Sequence, residues 1–366
     1  MFIVESIGSL SDKVEKGYSI ICYGAGKMCL KLATILESKL VLSAIKYIID
    51  SSPDKQGQKI NVNNQEIKVI SIEEAQQIVK KDKFVLLINN LRYEEILPVI
   101  KETPLLNELD VYSLALLQAI KQEEIDYCKN IPLEIKKSTD MLIPKRIHYC
   151  WFGKNQKSQL NRMCIDSWKK YCSDYEIIEW NETNYDIEKN SYMRQAYKRK
   201  KWGFVSDYAR LDVIYHYGGI YLDTDVEIIQ SLDELLYQDA FCAFEHEEYV
   251  ALGLGFGACK GNRVVKDWLD DYEDRKFIKE DGSNDLTPCP IYQTAVLKEY
   301  GLVTNGEYQI LDGITVFPGI MINGMCSKTR RVRNRSFTKA IHHYEASWQD
   351  SSFKEHNERV SKDMER

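Results

Sequence analysis

The 366-residue chain carries 49 Lys and Arg against 55 Asp and Glu, a net charge of −6 with His neutral. Hydrophobic residues at 44% and charged residues at 28% suit a folded globular protein and exclude disordered and fibrous classes. The acidic balance argues against a nucleic-acid partner but leaves room for a local basic site that takes a phosphorylated ligand. At roughly 150 residues per domain, the length predicts two domains, or one large domain with an appendage. No apolar run approaches the ~18 residues that span a bilayer. Residues 1–10 lack the basic start of a secretory signal, so a cytoplasmic protein is expected. The ten cysteines are scattered without a CxxC pair. They read as buried thiols in a reducing compartment, not as a zinc site or a disulfide framework.

In chain order, residues 18–23 (YSIICY) predict a short strand. It runs into Gly24-Ala25-Gly26-Lys27 and a helical pattern over 28–38, with Met28, Leu32, Ile35 and Leu36 on one face. Residues 45–49 predict a second strand ending in Asp50, and 51–57 a turn. Strands are expected over 67–70 and 84–89, and helices over 71–80, capped by Ser71, and 93–101. Strands alternating with helices predict an α/β unit with a parallel, doubly wound sheet. Residues 114–137 read as a charged bridging helix. A second block then opens with a strand over 146–151, a helix over 159–171 and a strand over 175–180. A basic helix (192–201) and a helix over 206–217 follow, the latter stopped by Gly218-Gly219 before a strand over 220–229.

Gly24-x-Gly26 lies between a strand and a helix, with Asp50 24 residues after Gly26. That resembles a dinucleotide fingerprint, but Cys29 stands where the third glycine belongs. Two readings stand: a nucleotide or sugar nucleotide bound at this loop, or two glycines that only make a tight turn. A nucleotide-dependent oxidoreductase would need the third glycine and a catalytic pair downstream.

The segment 202–229 (WGFVSDYARLDVIYHYGGIYLDTDVEII) is the most informative. In an extended strand, Tyr221, Asp223, Asp225 and Glu227 share one face, and the apolar residues with Thr224 share the other. Three carboxylates within five residues repel one another in a dry environment. A divalent cation removes that cost, and hard oxygen ligands suit Mg²⁺ or Mn²⁺. A pair that leaves metal positions open suits a diphosphate. The alternative is a solvated strand face.

Residues 143–153 (IPKRIHYCWFG), 207–210 (DYAR) and 218–225 (GGIYLDTD), in that order, resemble the DxD-containing glycosyltransferases of family 32. Those include bacterial capsule and lipopolysaccharide sugar transferases and yeast-type mannosyltransferases, and they are related to the catalytic domains of large clostridial toxins. The resemblance covers about residues 143–348. It implies a GT-A type domain there. Before it would stand a Rossmann-like domain (1–120) and a helical linker (121–142), and after it a tail (349–366). It implies a retaining, Mn²⁺- or Mg²⁺-dependent transferase. The donor would be a nucleotide-sugar, by family habit a UDP-sugar. The acceptor would be a polysaccharide or lipid-linked glycan in surface polysaccharide biosynthesis.

By the same resemblance, Asp225 is a direct metal ligand, and Asp223 reaches the ribose or donor sugar and touches the metal through water. Tyr221 lines the donor pocket, Asp207 and Arg210 contact the donor sugar, with Arg210 also available for the diphosphate, and Trp151 stacks on the uracil, the alternative for Trp151 being plain core packing. Residues 340–348 (AIHHYEASW) match the segment that closes the family's site. His343, or alternatively His342, is the third metal ligand, since adjacent strand residues face opposite ways. Ser347 and Trp348 sit over the diphosphate. The basic run 328–335 (KTRRVRNR) reads as a phosphate-closing lid, a peripheral contact to the cytoplasmic membrane face, or a solvated loop. Glu245-His246-Glu247 reads as a sugar contact or an exposed strand end. A sugar-nucleotide sensor or scaffold without turnover is the rival class, and the intact Asp207, Arg210, Asp223 and Asp225 argue against it.

Overall fold

The computed structural model describes residues 2–246, 248–327 and 329–345. The chain divides into two compact units. One runs to Ile125 and takes in residues 329–331; the other comprises Asp126–Ser327 and residues 332–345.

The first unit holds one sheet of β1 (Ser19–Tyr23), β2 (Ile45–Ile49), β3 (Lys59–Val62), β4 (Gln65–Ile70), β5 (Phe84–Ile88) and β6 (Asp110–Ser113). Their spatial order is β3-β4-β2-β1-β5-β6, with every pair parallel except β3–β4. The chain moves outward from β1 through β2 and β4, then crosses back to β5 and β6, as a doubly wound sheet does. Every residue of β5 is buried, which fits a central strand covered on both faces. The edge strand β3 was not expected from sequence. It forms a hairpin with β4 through Asn63 and Asn64, both with positive φ (50° and 65°), as the tightest hairpin turns require.

The loop after β1 differs from the fingerprint. Gly24 has φ of 113°, and a Cβ there would lie 3.0 Å from the Asn89 carbonyl oxygen. The expected helix over 28–38 is a 3₁₀ turn, Lys27–Lys31, followed by a short helix, Leu32–Leu36. The Asp50 carboxylate accepts from the Ala25 N–H (2.7 Å), the Ser52 N–H (2.9 Å) and Lys55 Nζ (3.1 Å). The acid therefore closes on its own loop, which supports the tight-turn reading. The predicted bridging helix is also corrected. It spans Leu114–Cys128, and Leu114, Leu116, Leu117 and Ile120 are buried in the first unit's core.

The second unit holds β7 (Arg146–Cys150), β8 (Glu176–Trp180), β9 (Gly219–Tyr221), β10 (Val226–Ile228), β11 (Ala240–His246), β12 (Tyr249–Val250), β13 (Phe256–Ala258), β14 (Gln309–Leu311), β15 (Ile314–Phe317) and β16 (Ala340–His342). The main sheet runs β14-β15-β11-β13-β9-β7-β8, with β12 on β11. It is mixed: β7 is parallel to β8 and β9, and β11 to β15, while β13 is antiparallel to both its neighbours. The helix Trp202–Tyr217 is buried through most of its length, charged Asp207, Arg210 and Asp212 included, so it is a core helix. It stops at Gly218, where φ is 65° and a Cβ would lie 2.9 Å from the Lys260 nitrogen.

The strand predicted over 220–229 is broken. β9 ends at Tyr221, and a turn follows, closed by the Val226 N–H on the Asp223 carbonyl (3.1 Å). β10 then leaves the main sheet and pairs antiparallel with β16. The two acids therefore sit in the gap between two sheets, not along one strand face. Among the described residues no helix is long and apolar enough to cross a membrane.

Candidate active site

The turn at 223–226 is held from three sides. The Trp168 indole donates to the Val226 carbonyl (2.7 Å). Asn161, part of the capping box that opens the helix Gln159–Tyr171, reaches the Thr224 carbonyl (3.4 Å) and Glu345 Oε2 (2.9 Å). β16 then brings the C-terminal segment across the turn. Val226 pairs with His342, the His343 N–H donates to the Asp225 carbonyl (2.9 Å), and the Glu345 N–H donates to Asp225 Oδ2 (2.8 Å).

Asp223, Asp225 and His342 each offer one ligand atom, and these atoms lie within 4.8 Å of one another. Their side chains are 30%, 14% and 13% exposed, buried enough to be fixed and open enough to admit a ligand. His342 Nε2 lies 3.1 Å from Asp225 Oδ1, and its Nδ1 is buried without a partner among the described residues. Two carboxylates suit Mg²⁺ or Mn²⁺, and an imidazole tilts the set toward Mn²⁺. The residues present therefore fit a divalent cation.

In the absence of a cation these groups shift one another's protonation. Burial works against a charged Asp225, but the His342 charge and the hydrogen bonds from His342 and Glu345 prevail and hold it at about 2. Burial also depresses His342, yet Asp225 outweighs it and the imidazole pKa is raised. Asp223 is pushed up by burial, with Arg210 pulling it back and Asp225 adding to the rise.

The structure places His342, the alternative, and not His343 beside Asp223 and Asp225. His343 turns the other way, with Nε2 2.9 Å from Glu227 Oε2, as adjacent extended residues must. Glu227 accordingly leaves the acid row expected from sequence and pairs with His343. His342→Ala is expected to weaken Mn²⁺ binding by more than the about 10- to 100-fold cost of losing a residue that only orients a ligand. His343→Ala is expected to leave it near native. Titration calorimetry with MnCl₂ checks both, and equal losses would contradict the register.

Beside the turn, Asp207 and Arg210 stand one helical turn apart at 6% and 4% exposure. Arg210 Nη2 lies 3.1 Å from Asp207 Oδ1 and 3.4 Å from Asp223 Oδ1. Its guanidinium carbon is 5.0 Å from the Tyr221 ring centroid, and the Tyr221 hydroxyl donates to Asp223 Oδ1 (3.0 Å). Burial raises the Asp207 carboxyl, with Arg210 holding it back, and the Cys289 thiol hydrogen-bonds Asp207. The fold thus assembles Asp207, Arg210, Tyr221, Asp223, Asp225 and His342 in one place.

Other sequence candidates fall as follows. Trp151 follows the end of β7, where its N–H donates to the Trp180 carbonyl of β8 (2.8 Å); its indole donates to the Asn155 carbonyl (2.7 Å), and Lys157 Nζ stands 5.1 Å from the ring centroid. Ser347 and Trp348 lie outside the described residues. Burial raises the Glu245 carboxyl and the nearby His342 counteracts it, so Glu245 borders the same cluster. Part of the basic run is pinned, unlike an open lid or solvated loop. In the first unit Arg331 Nε donates to buried Glu123 (2.9 Å), and in the second Arg335 donates to the Tyr127 carbonyl (2.7 Å) while Arg333 stacks on the Tyr127 ring. Asn161, Asn323 and Glu345 went unnoticed in the sequence. The Ser158-x-x-Asn161 spacing was a legible helix start, whereas Asn323, which accepts from the His342 N–H (2.8 Å), carries no local signal.

Residues 158–242 match a family model described as a glycosyltransferase sugar-binding region containing a DXD motif. That stretch contains Asp207, Arg210, Tyr221, Asp223 and Asp225. Inositol phosphoceramide mannosyltransferase 3 of Schizosaccharomyces pombe is 30% identical over 119 residues, which are 30% of this chain and 31% of that protein's length. A solved structure, the PaToxG glycosyltransferase, is similar over 50% of this chain and 76% of its own, with 19% identity and a TM-score of 0.34. At that score the likeness bears on neither fold nor function. The two sequence matches support a glycosyltransferase enzyme.

Proposed function

We propose that this glycosyltransferase is a GT-A type, retaining, divalent-metal-dependent enzyme that moves a sugar from a nucleotide-sugar to a polysaccharide or lipid-linked glycan. The observation that carries this reading is the convergence of Asp223, Asp225 and His342 within 4.8 Å beside the buried Asp207–Arg210 pair. Asp225 and His342 would hold Mn²⁺ or Mg²⁺, with Asp223 completing the set. Bound there, the cation would stabilise charge on the departing diphosphate. Arg210 carries donors in a fork that matches phosphate oxygens, and Asp207 is an acceptor for donor-sugar hydroxyls. Trp151 offers a half-buried ring for a nucleobase. Transfer with retention proceeds by front-face attack through an oxocarbenium-like state, the leaving phosphate assisting deprotonation of the acceptor. The proposed donor is a UDP-sugar. The relative's name makes mannose a sugar to test as well, and a lipid-borne acceptor fits that name.

The test is a screen of UDP-sugars and GDP-mannose for hydrolysis by the full chain with MnCl₂. Turnover of one donor that stops on chelation supports the proposal and names the sugar. Tight nucleotide binding without turnover of any donor would replace it with a sensor or scaffold. Absence of both binding and turnover would overturn the site.

A further inference from the structure

Gly253 lies in the 3₁₀ turn Leu252–Leu254, and its φ falls outside the left-handed region that favours glycine. Its own backbone would accept any residue. Yet a Cβ at this position would lie 2.3 Å from Asp223 Oδ2 and 3.3 Å from Arg210 Nη1. The first distance is far inside van der Waals contact, so one party has to move. The turn is poorly placed to do so. The Leu252 N–H donates to Gln293 Oε1 (3.1 Å) and the Val250 N–H to Thr294 Oγ1 (3.0 Å), both acceptors buried on the helix Cys289–Glu299. Leu252 and Leu254 are core residues. The Gly253 carbonyl accepts the Asp223 N–H (3.3 Å), which sets the backbone spacing between the turn and the acid. What would yield is the carboxylate, the end of a rotatable side chain.

We propose that Gly253 is a positioning residue for Asp223: its missing side chain makes the room in which that carboxylate stands against Arg210 and Tyr221, facing Asp225 and His342. The turn, slung from the helix Cys289–Glu299, fixes the depth of that room. The metal-binding consequence rests on the site reading given above; the collision with Asp223 does not. Gly255, two residues on, is glycine for a different reason. Its φ is 138°, and a Cβ there would meet Leu222 (3.0 Å) and Ile322 (3.2 Å), not the acids.

The two glycines should therefore fail in opposite ways. In the full chain, Gly253→Ala is expected to lose about 10- to 100-fold in Mn²⁺ affinity, the scale for disturbing a group that orients a ligand, with a small drop in the metal-free melting temperature. Gly255→Ala is expected to lower the melting temperature and keep the Mn²⁺ affinity. On an Asp223→Ala background the 2.3 Å collision is gone and only the 3.3 Å approach to Arg210 Nη1 remains, so Gly253→Ala should cost far less melting temperature there, a coupling that a double-mutant cycle reads directly. If Gly253→Ala alone fails to fold, the double variant should still fold as Asp223→Ala does. Native Mn²⁺ affinity in Gly253→Ala would overturn the proposal. So would a melting-temperature loss equal on both backgrounds, or a double variant that does not fold. If the unsubstituted chain binds no Mn²⁺, the metal reading fails, while the metal-free cycle still decides whether Gly253 acts through Asp223.

Discussion

Asp225→Ala is expected to abolish metal-dependent donor hydrolysis, a loss of at least about a hundredfold, the scale for removing one preorganised charge-stabilising group. Asp225 is the acid on which the site converges. One carboxylate oxygen faces His342 and the other takes the Glu345 N–H. Its folded pKa of about 2 keeps it ionised throughout the neutral range. Removing the carboxylate leaves His342 and the Glu345 N–H without their partner, while the β10–β16 pairing and the His343 N–H on the Asp225 main-chain carbonyl remain. Asp225→Asn tests the charge separately. It preserves an oxygen for the Glu345 N–H, so the segment should stay in place while the cation is lost. Initial rates across a MnCl₂ titration check this: neither variant should recover at high metal. Native turnover by Asp225→Ala would place the chemistry elsewhere.

Arg210→Ala is expected to cost about 3–5 kcal/mol of stability, the range for stripping the partner from a buried ion pair. Arg210 neutralises Asp207 at 3.1 Å and Asp223 at 3.4 Å, and its own pKa is raised because those carboxylates outweigh its burial. Asp207 is the costly one, since it is nearly buried, whereas part-exposed Asp223 can be solvated. The pH dependence has a definite sign. Both acids already have raised folded pKa values, and without Arg210 they rise further. A folded state that takes up protons more readily than the unfolded state gains stability as pH falls. The variant's deficit should therefore shrink as pH drops toward the ordinary carboxylate range, about 4. Arg210→Lys restores the charge without the fork and should recover stability better than activity. Denaturant midpoints at several pH values read the first effect, and turnover reads the second.

The α/β character was legible because its signals are local. Strand β5 is a short apolar run, Ser71 caps its helix by accepting the Glu74 N–H, and Gly218 marks a helix end. The edge strand β3 was missed although Asn63-Asn64 is a hairpin signal, because Lys59–Val62 is only four residues long, with Ile60 and Val62 alone to mark its inward face. At the loop after β1 the sequence left a nucleotide site and a tight turn both open, since it cannot show that Asp50 accepts from Ala25, Ser52 and Lys55. In the second unit, carboxylate spacing pointed to Asp223 and Asp225 and the family resemblance to Asp207, Arg210 and Tyr221, and the fold brings those five together. The two-face strand argument failed at Asp223, because pairing with β16 draws β10 off the main sheet. The choice between His342 and His343 depended on that same register, which no local pattern encodes. Gly253 was invisible for a related reason: nothing in its own neighbourhood demands glycine, and the demand comes from Asp223, thirty positions earlier in the chain.

The most direct test of the site is anomalous diffraction from crystals of the full chain grown with MnCl₂ and UDP. One manganese peak within bonding distance of Asp225 and His342, with Asp223 at or beside it, is expected. A peak coordinated by His343 and Glu227, or no peak between the acids while UDP is bound, would contradict it.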